Sequence, residues 1–105
     1  MKDGCGCDMR GMLSFMVLWL LSKRKMHGEE IAEEIGKRRG DKPSAGTIYP
    51  ALKVLKDNGL IRGEKSGKKI VYSLTASGKK VSVSSMQYFH RVFHDIIDDC
   101  RGMKC

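Results

Sequence analysis

Three groups of side chains in this sequence have types and spacings suited to chemistry. Ser44, Gly46, Thr47 and Tyr49 open the stretch "PSAGTIYPALKVL", and Lys53 lies on a later helical turn of it. Hydroxyls and free backbone N–H groups at a helix start bind phosphate, and small residues let the backbone come close. Lys65, Lys68 and Lys69 surround Gly67, which permits a tight turn. Their cations suit a phosphate backbone. Cys5, Cys7, Cys100 and Cys105 stand as two pairs at the chain's ends. Four thiolates suit tetrahedral zinc or an iron–sulfur cluster, and two thiol pairs suit a reversible disulfide switch. Thiols that are merely exposed or packed in a helix seam are the third reading.

Catalysis finds no such constellation. No nucleophile is paired in sequence with a base, no glycine-rich phosphate loop follows a strand, and no acid pair stands out. His90, His94 and Asp98 fall at i, i+4 and i+8 on one helical stripe, but the apolar seam of that segment lies elsewhere, so they read as a solvated face. A non-enzyme is expected. The net charge of +8 is concentrated: residues 37–69 hold ten Lys/Arg against Asp41, Asp57 and Glu64, a local balance of +7. A basic middle third calls for a polyanionic partner, with double-stranded DNA first. The apolar run Met12–Leu21 is about half the length of a membrane span and lacks a cleavage site after it, so a cytoplasmic protein with no membrane partner is expected.

The elements that must position these residues follow from periodicity. Asp8–Lys25 reads as a helix capped by Asp8, with Lys23-Arg24-Lys25 at its C-terminus. Only Ser14 interrupts its apolar stretch from Met12 to Leu21, so its outer side needs a partner chain. Gly28–Arg39 carries a narrow stripe of Ile31, Ala32 and Ile35, with acids early and bases late, and His27 belongs to its cap region. The quoted stretch is a third helix, stopped by Asn58 or Gly59. Its Pro50 allows two starts: a cap at Ser44 leaves the proline inside the helix, and a cap at Thr47 places it where no donor is needed. Leu60–Glu64 and Lys69–Leu74 read as a hairpin with the basic tip Lys65–Lys68. Thr75 caps a last helix, Ala76–Arg101, on which Met86, Phe89, Phe93, Ile96 and Cys100 form an a/d seam. The fold class is mainly α with a small β-hairpin, a winged helix-turn-helix with extra N- and C-terminal dimerisation helices. The division expected is residues 1–75 for the DNA-binding unit and 76–105 for the dimerisation helix.

"MLSFMVLWLLSKRKMHGEEIAEEI", "PSAGTIYPALKVLKDNGLI" and "YSLTASGKK" closely resemble the PadR family of transcriptional regulators, over about residues 9 to 80 and most specifically over Gly46–Ile61. The resemblance implies a homodimeric winged-helix repressor of the short type with one C-terminal helix. It assigns the dimer to the first and last helices, hence to Met12, Phe15, Met16, Trp19, Met86, Phe89, Phe93 and Ile96. It favours the Ser44 start, since it treats "SAGTIYPAL" as one unit. Glu30 stands where many relatives carry an aromatic near the glycine, and the terminal cysteines lie outside the family pattern. The expected function is a sequence-specific DNA-binding regulator, a dimeric repressor released by a small-molecule effector near the dimer helices. Trp19 and Phe89 are candidates for lining that effector site, though packing explains both. The alternatives are a thiol- or metal-responsive sensor on the same scaffold and a winged-helix protein-interaction module without a DNA target.

Overall fold

The computed structural model describes residues 9–103, in the order α1 (Met9–Leu21), β1 (Met26–His27), α2 (Gly28–Arg39), α3 (Ala45–Asp57), β2 (Ile61–Ser66), β3 (Lys69–Leu74) and α4 (Ala76–Arg101). Asp8, Cys5, Cys7 and Cys105 lie outside the described residues, so neither the Asp8 cap nor the cysteine cluster is addressed by it.

The expected bounds of α2 and α4 hold, and α1 differs. It ends at Leu21, and Ser22 and Lys23 turn back onto its last carbonyls, so Lys23-Arg24-Lys25 follow the helix rather than close it. The cause is Met26. Its side chain is buried, and β1 pairs antiparallel with β3, placing Met26 opposite Tyr72 and His27 opposite Val71. The expected two-strand wing is therefore a three-stranded sheet in the order β1-β3-β2. Two residues are too few to register as an alternating pattern. The wing turn is also tighter than expected. Lys65 belongs to β2, opposite Ile70, and only Gly67 and Lys68 lie between the strands. Gly67 takes the left-handed φ of 66° that the turn demands.

α3 starts at the Ser44 cap and runs through Pro50. The proline leaves the Gly46 carbonyl without its helical donor, and both residues are exposed. Ile48, Leu52 and Leu55 are fully buried on the opposite face. Three such side chains contribute roughly 1.5–3 kcal/mol each, against about 3 kcal/mol for an internal proline. Packing therefore carries the helix past the defect. Gly59, at φ 76°, ends it: Leu60 donates to the Leu55 carbonyl and Gly59 to that of Lys56, the paired bonds of a Schellman stop.

The core joins Leu13, Val17, Leu18, Leu20 and Leu21 of α1 to the apolar faces of α2, α3 and the sheet. α1 is thus buried on one side only. Met12 is 41% exposed, and Phe15, Met16 and Trp19 are half-buried. α4 starts under Thr75, whose hydroxyl accepts from Gly78 N–H at 3.0 Å and donates to the Gly59 carbonyl at 2.6 Å. Of its 26 residues only Gly78 and Ser82 are buried. At 1.5 Å per residue it is about 39 Å long, which sets the 46 × 27 × 25 Å shape. Among the described residues no helix is long and apolar enough to cross a membrane.

Candidate nucleic-acid interface

The eight residues singled out for phosphate contact, Ser44, Gly46, Thr47, Tyr49, Lys53, Lys65, Lys68 and Lys69, are all exposed. At the start of α3 the only atom within 4 Å of a Cβ added to Gly46 is the Ser44 Oγ, at 3.8 Å. The helix end is bare on that side. Ser44 adopts the extended cap conformation, but its hydroxyl makes no capping bond and meets Thr47 Oγ1 at 3.2 Å instead. Two hydroxyls and the first N–H groups of α3 are left for an outside acceptor.

The N-terminus of α2 ties this helix to the wing. His27 caps α2, accepting the Glu30 N–H on Nδ1 at 3.3 Å, while the Glu30 carboxylate accepts the His27 N–H at 3.1 Å. This reciprocal pair is a capping box with histidine in the hydroxyl's place. The second His27 nitrogen lies 3.5 Å from Lys69 Nζ on β3. One residue on, Gly28 lies beneath the Tyr49 ring, so closely that a Cβ there would stand 2.7 Å from the ring and its hydroxyl. Tyr49 is 46% exposed. Lys69 and Tyr49 therefore meet the same short stretch, His27-Gly28. The sequence placed His27 in a cap region but gave no sign of the Tyr49–Gly28 contact, because it joins two helices.

The charges around this surface divide into paired and unpaired sets. Lys42 bonds Glu29, whose carboxyl is held below its ordinary value by that hydrogen bond and by the lysine's charge. Glu30 is also lowered, first by the His27 backbone bond and then by Arg24 at 3.2 Å. Glu34 is lowered by Arg38 and Lys37. Lys37 and Arg38 are thus engaged with Glu34, and Arg39 with Asp41, so the C-terminal bases of α2 face their own acids. Lys53 pairs with Asp57 at 2.9 Å, but both side chains are mostly in water, where such a pair contributes little and is easily exchanged. Lys65 and Lys68 have no ion-pair partner among the described residues.

On the far side of the core, α1 and α4 bring together seven of the eight residues assigned to a dimer. Phe15 stacks on Phe89 with centroids 5.4 Å apart, and Phe89 meets Phe93 at 4.8 Å. Met12, Phe15, Phe89 and Phe93 line an apolar groove of about 470 Å³. Met16, Trp19 and Met86 line an adjoining hollow of about 310 Å³. Ile96 stays apart, 55% exposed. Trp19 has a further role that the sequence did not reveal: Lys23 and Arg38 both lie over its ring, at 5.4 and 5.1 Å. Cys100 is an exposed free thiol on α4. His90 and His94 stack at 5.2 Å, yet no group of three or more metal-binding side chains occurs among the described residues.

The sequence profile of the transcriptional regulator PadR-like family matches residues 17–83, well over half the chain. The chain belongs to the PadR-like family of transcriptional regulators. A transcriptional regulator from Thermoplasma acidophilum is 29% identical and superposes with a TM-score of 0.72, covering 93% of this chain and 96% of its own. The fold recurs at 23% identity in a PadR-like regulator from Bacillus cereus, with a TM-score of 0.76 and coverage of 90% and 97%. It recurs again, at 23% identity, in a PadR-like transcription factor from Bacteroides fragilis, with a TM-score of 0.74 and coverage of 87% and 92%. A search among curated proteins finds no match. This PadR-like protein is thus a regulator with a winged-helix fold and not an enzyme.

Proposed function

We propose that this PadR-like regulator is a homodimer that binds double-stranded DNA and represses transcription until an effector releases it. The observation that carries the reading is the junction at His27-Gly28, where Lys69 of the wing and Tyr49 of α3 converge. With that junction fixed, Ser44, Gly46 and Thr47 enter the major groove, where backbone amides and hydroxyls take phosphate and Lys53 reaches the flanking strand. Lys65, Lys68 and Lys69 follow the neighbouring backbone. The local balance of +7 over residues 37–69 supports a polyanion as the partner.

The dimer is proposed to form through α1 and α4. Met12, Val92, Ile96 and Tyr88 are 41%, 43%, 55% and 60% exposed on or beside the aromatic groove, a larger apolar display than isolated surface residues make. An effector lodged against Phe89 or Trp19 would alter the distance between the two α3 helices. Residues 1–75 then carry DNA binding and 76–105 dimerisation. Selection of bound fragments from genomic DNA tests the whole reading. It is expected to yield a palindrome with half-sites about one helical turn apart. Failure to enrich any duplex at low salt would contradict it.

A further inference from the structure

A second cavity, at the base of the wing, belongs to neither face above. It encloses about 470 Å³ between the α1–β1 turn, the paired ends of β2 and β3, and the second turn of α4. Five cations line it, Lys23, Arg24, Lys25, Arg62 and Lys79, with no acidic residue among the lining. Arg24 is held by Glu30 and Lys23 leans on Trp19. Lys25, Arg62 and Lys79 have no ion-pair partner among the described residues. Like charges gathered without acids repel one another, and an anion among them removes that cost.

The remaining lining is of a different character. Leu74, Val83 and Met86 give it an apolar side. Ser82 contributes a hydroxyl that is nearly inaccessible, its residue 1% exposed, with no hydrogen-bond partner. Buried hydroxyls without partners are rare and mark a place where a bonding group is missing. The cavity also stands apart from the wing tip. Arg62 is opposite Ser73, four residues along β2 from the closing pair Ser66–Lys69, or about 13 Å at the usual strand rise.

We propose that this cavity binds a small amphipathic anion: a carboxylate or phosphate headgroup held by Arg62, Lys79 and Lys25, with an apolar body resting on Leu74, Val83 and Met86. Its volume fits a ligand of ordinary metabolite size. The site is separate from the α1–α4 groove, and its test uses no DNA, so it stands or falls independently of the regulatory reading. Calorimetric titration of the full chain with octyl phosphate below its micelle concentration is expected to give one site per chain with a Kd below about 1 mM. Octanol, with the same tail and no charge, is expected to bind at least about tenfold more weakly. Arg62→Gln with Lys79→Gln, both on exposed side chains, should lose binding by a similar factor while keeping wild-type circular dichroism. Exchanging the cations, Arg62→Lys with Lys79→Arg, should restore it. The proposal is overturned by octanol binding as tightly as octyl phosphate, or by a Gln pair that binds like wild type. It is equally overturned by the absence of saturable binding, or by binding to phosphatidylglycerol vesicles with none to the free anion.

Discussion

The two ends of α3 and the two sides of α1 make the same contrast. In α3 the buried face, Ile48, Leu52 and Leu55, is apolar and the exposed start is small and polar. In α1 the buried side is apolar too, but so is the exposed side, with Met12, Phe15, Met16 and Trp19. A surface of glycine and hydroxyls is stable in water and waits for a charged partner, whereas an exposed aromatic and methionine surface is not at rest until covered. The basic face therefore predicts salt-sensitive binding, and the α1–α4 face predicts association that salt does not weaken.

The largest effect should come from breaking the apolar side. Phe89→Glu places a charge between Phe15 and Phe93. Sedimentation should then report monomers, and duplex affinity should fall by about 10²-fold or more, since two linked half-site contacts become independent. Retention of a dimer by this variant would move the interface elsewhere.

Next in size is the wing. Lys65→Ala, Lys68→Ala and Lys69→Ala together should flatten the dependence of log affinity on log salt by up to about 2.7 units, about 0.9 for each lost phosphate contact. The dimer should persist. An unchanged slope would remove the wing from the interface.

Gly46→Ala separates function from stability. There is open space for the methyl group, and alanine in a helix is favoured over glycine by about 0.5–1 kcal/mol. The thermal midpoint should rise while DNA affinity falls, as read by paired melting and anisotropy measurements. A rise in both would show that this helix start makes no close approach to DNA.

The capping box gives the smallest effect and the only one set by pH. Glu30 has its folded-state pKa lowered below 4.5 by the His27 N–H and by Arg24. Its stabilising contribution is therefore complete above about pH 4.5 and is lost as pH falls through the lower folded value. Glu29 and Glu34, lowered by Lys42 and by Arg38, act in the same sense. The denaturation midpoint of wild type should fall on acidification below that range, and Glu30→Gln should shrink the fall. A midpoint that rises on acidification would contradict the assignment.

Much of this was legible in sequence because it rests on local rules. Thr75, Gly59 and the Ser44 start are cap chemistry, and the 3,4 spacing of Met86, Phe89 and Phe93 marked one face of α4. The choice between Ser44 and Thr47 was not local. It turned on whether burying Ile48, Leu52 and Leu55 outweighs Pro50, which only the packed core decides. What stayed hidden joins distant segments: the pairing of Met26 with Tyr72, the seat of Tyr49 on Gly28, the cations over Trp19, and the meeting of Arg62 with Lys79. No spacing rule within one element reports these.

The central claim is that the basic face binds duplex DNA. Anisotropy of a labelled duplex carrying the genomically selected palindrome, titrated with the wild-type protein from 50 to 300 mM salt, tests it most directly. Log affinity should fall linearly with log salt with a slope steeper than about −4, as expected when several phosphates are neutralised. Binding that is absent at 50 mM salt, or that does not change across the series, would contradict it.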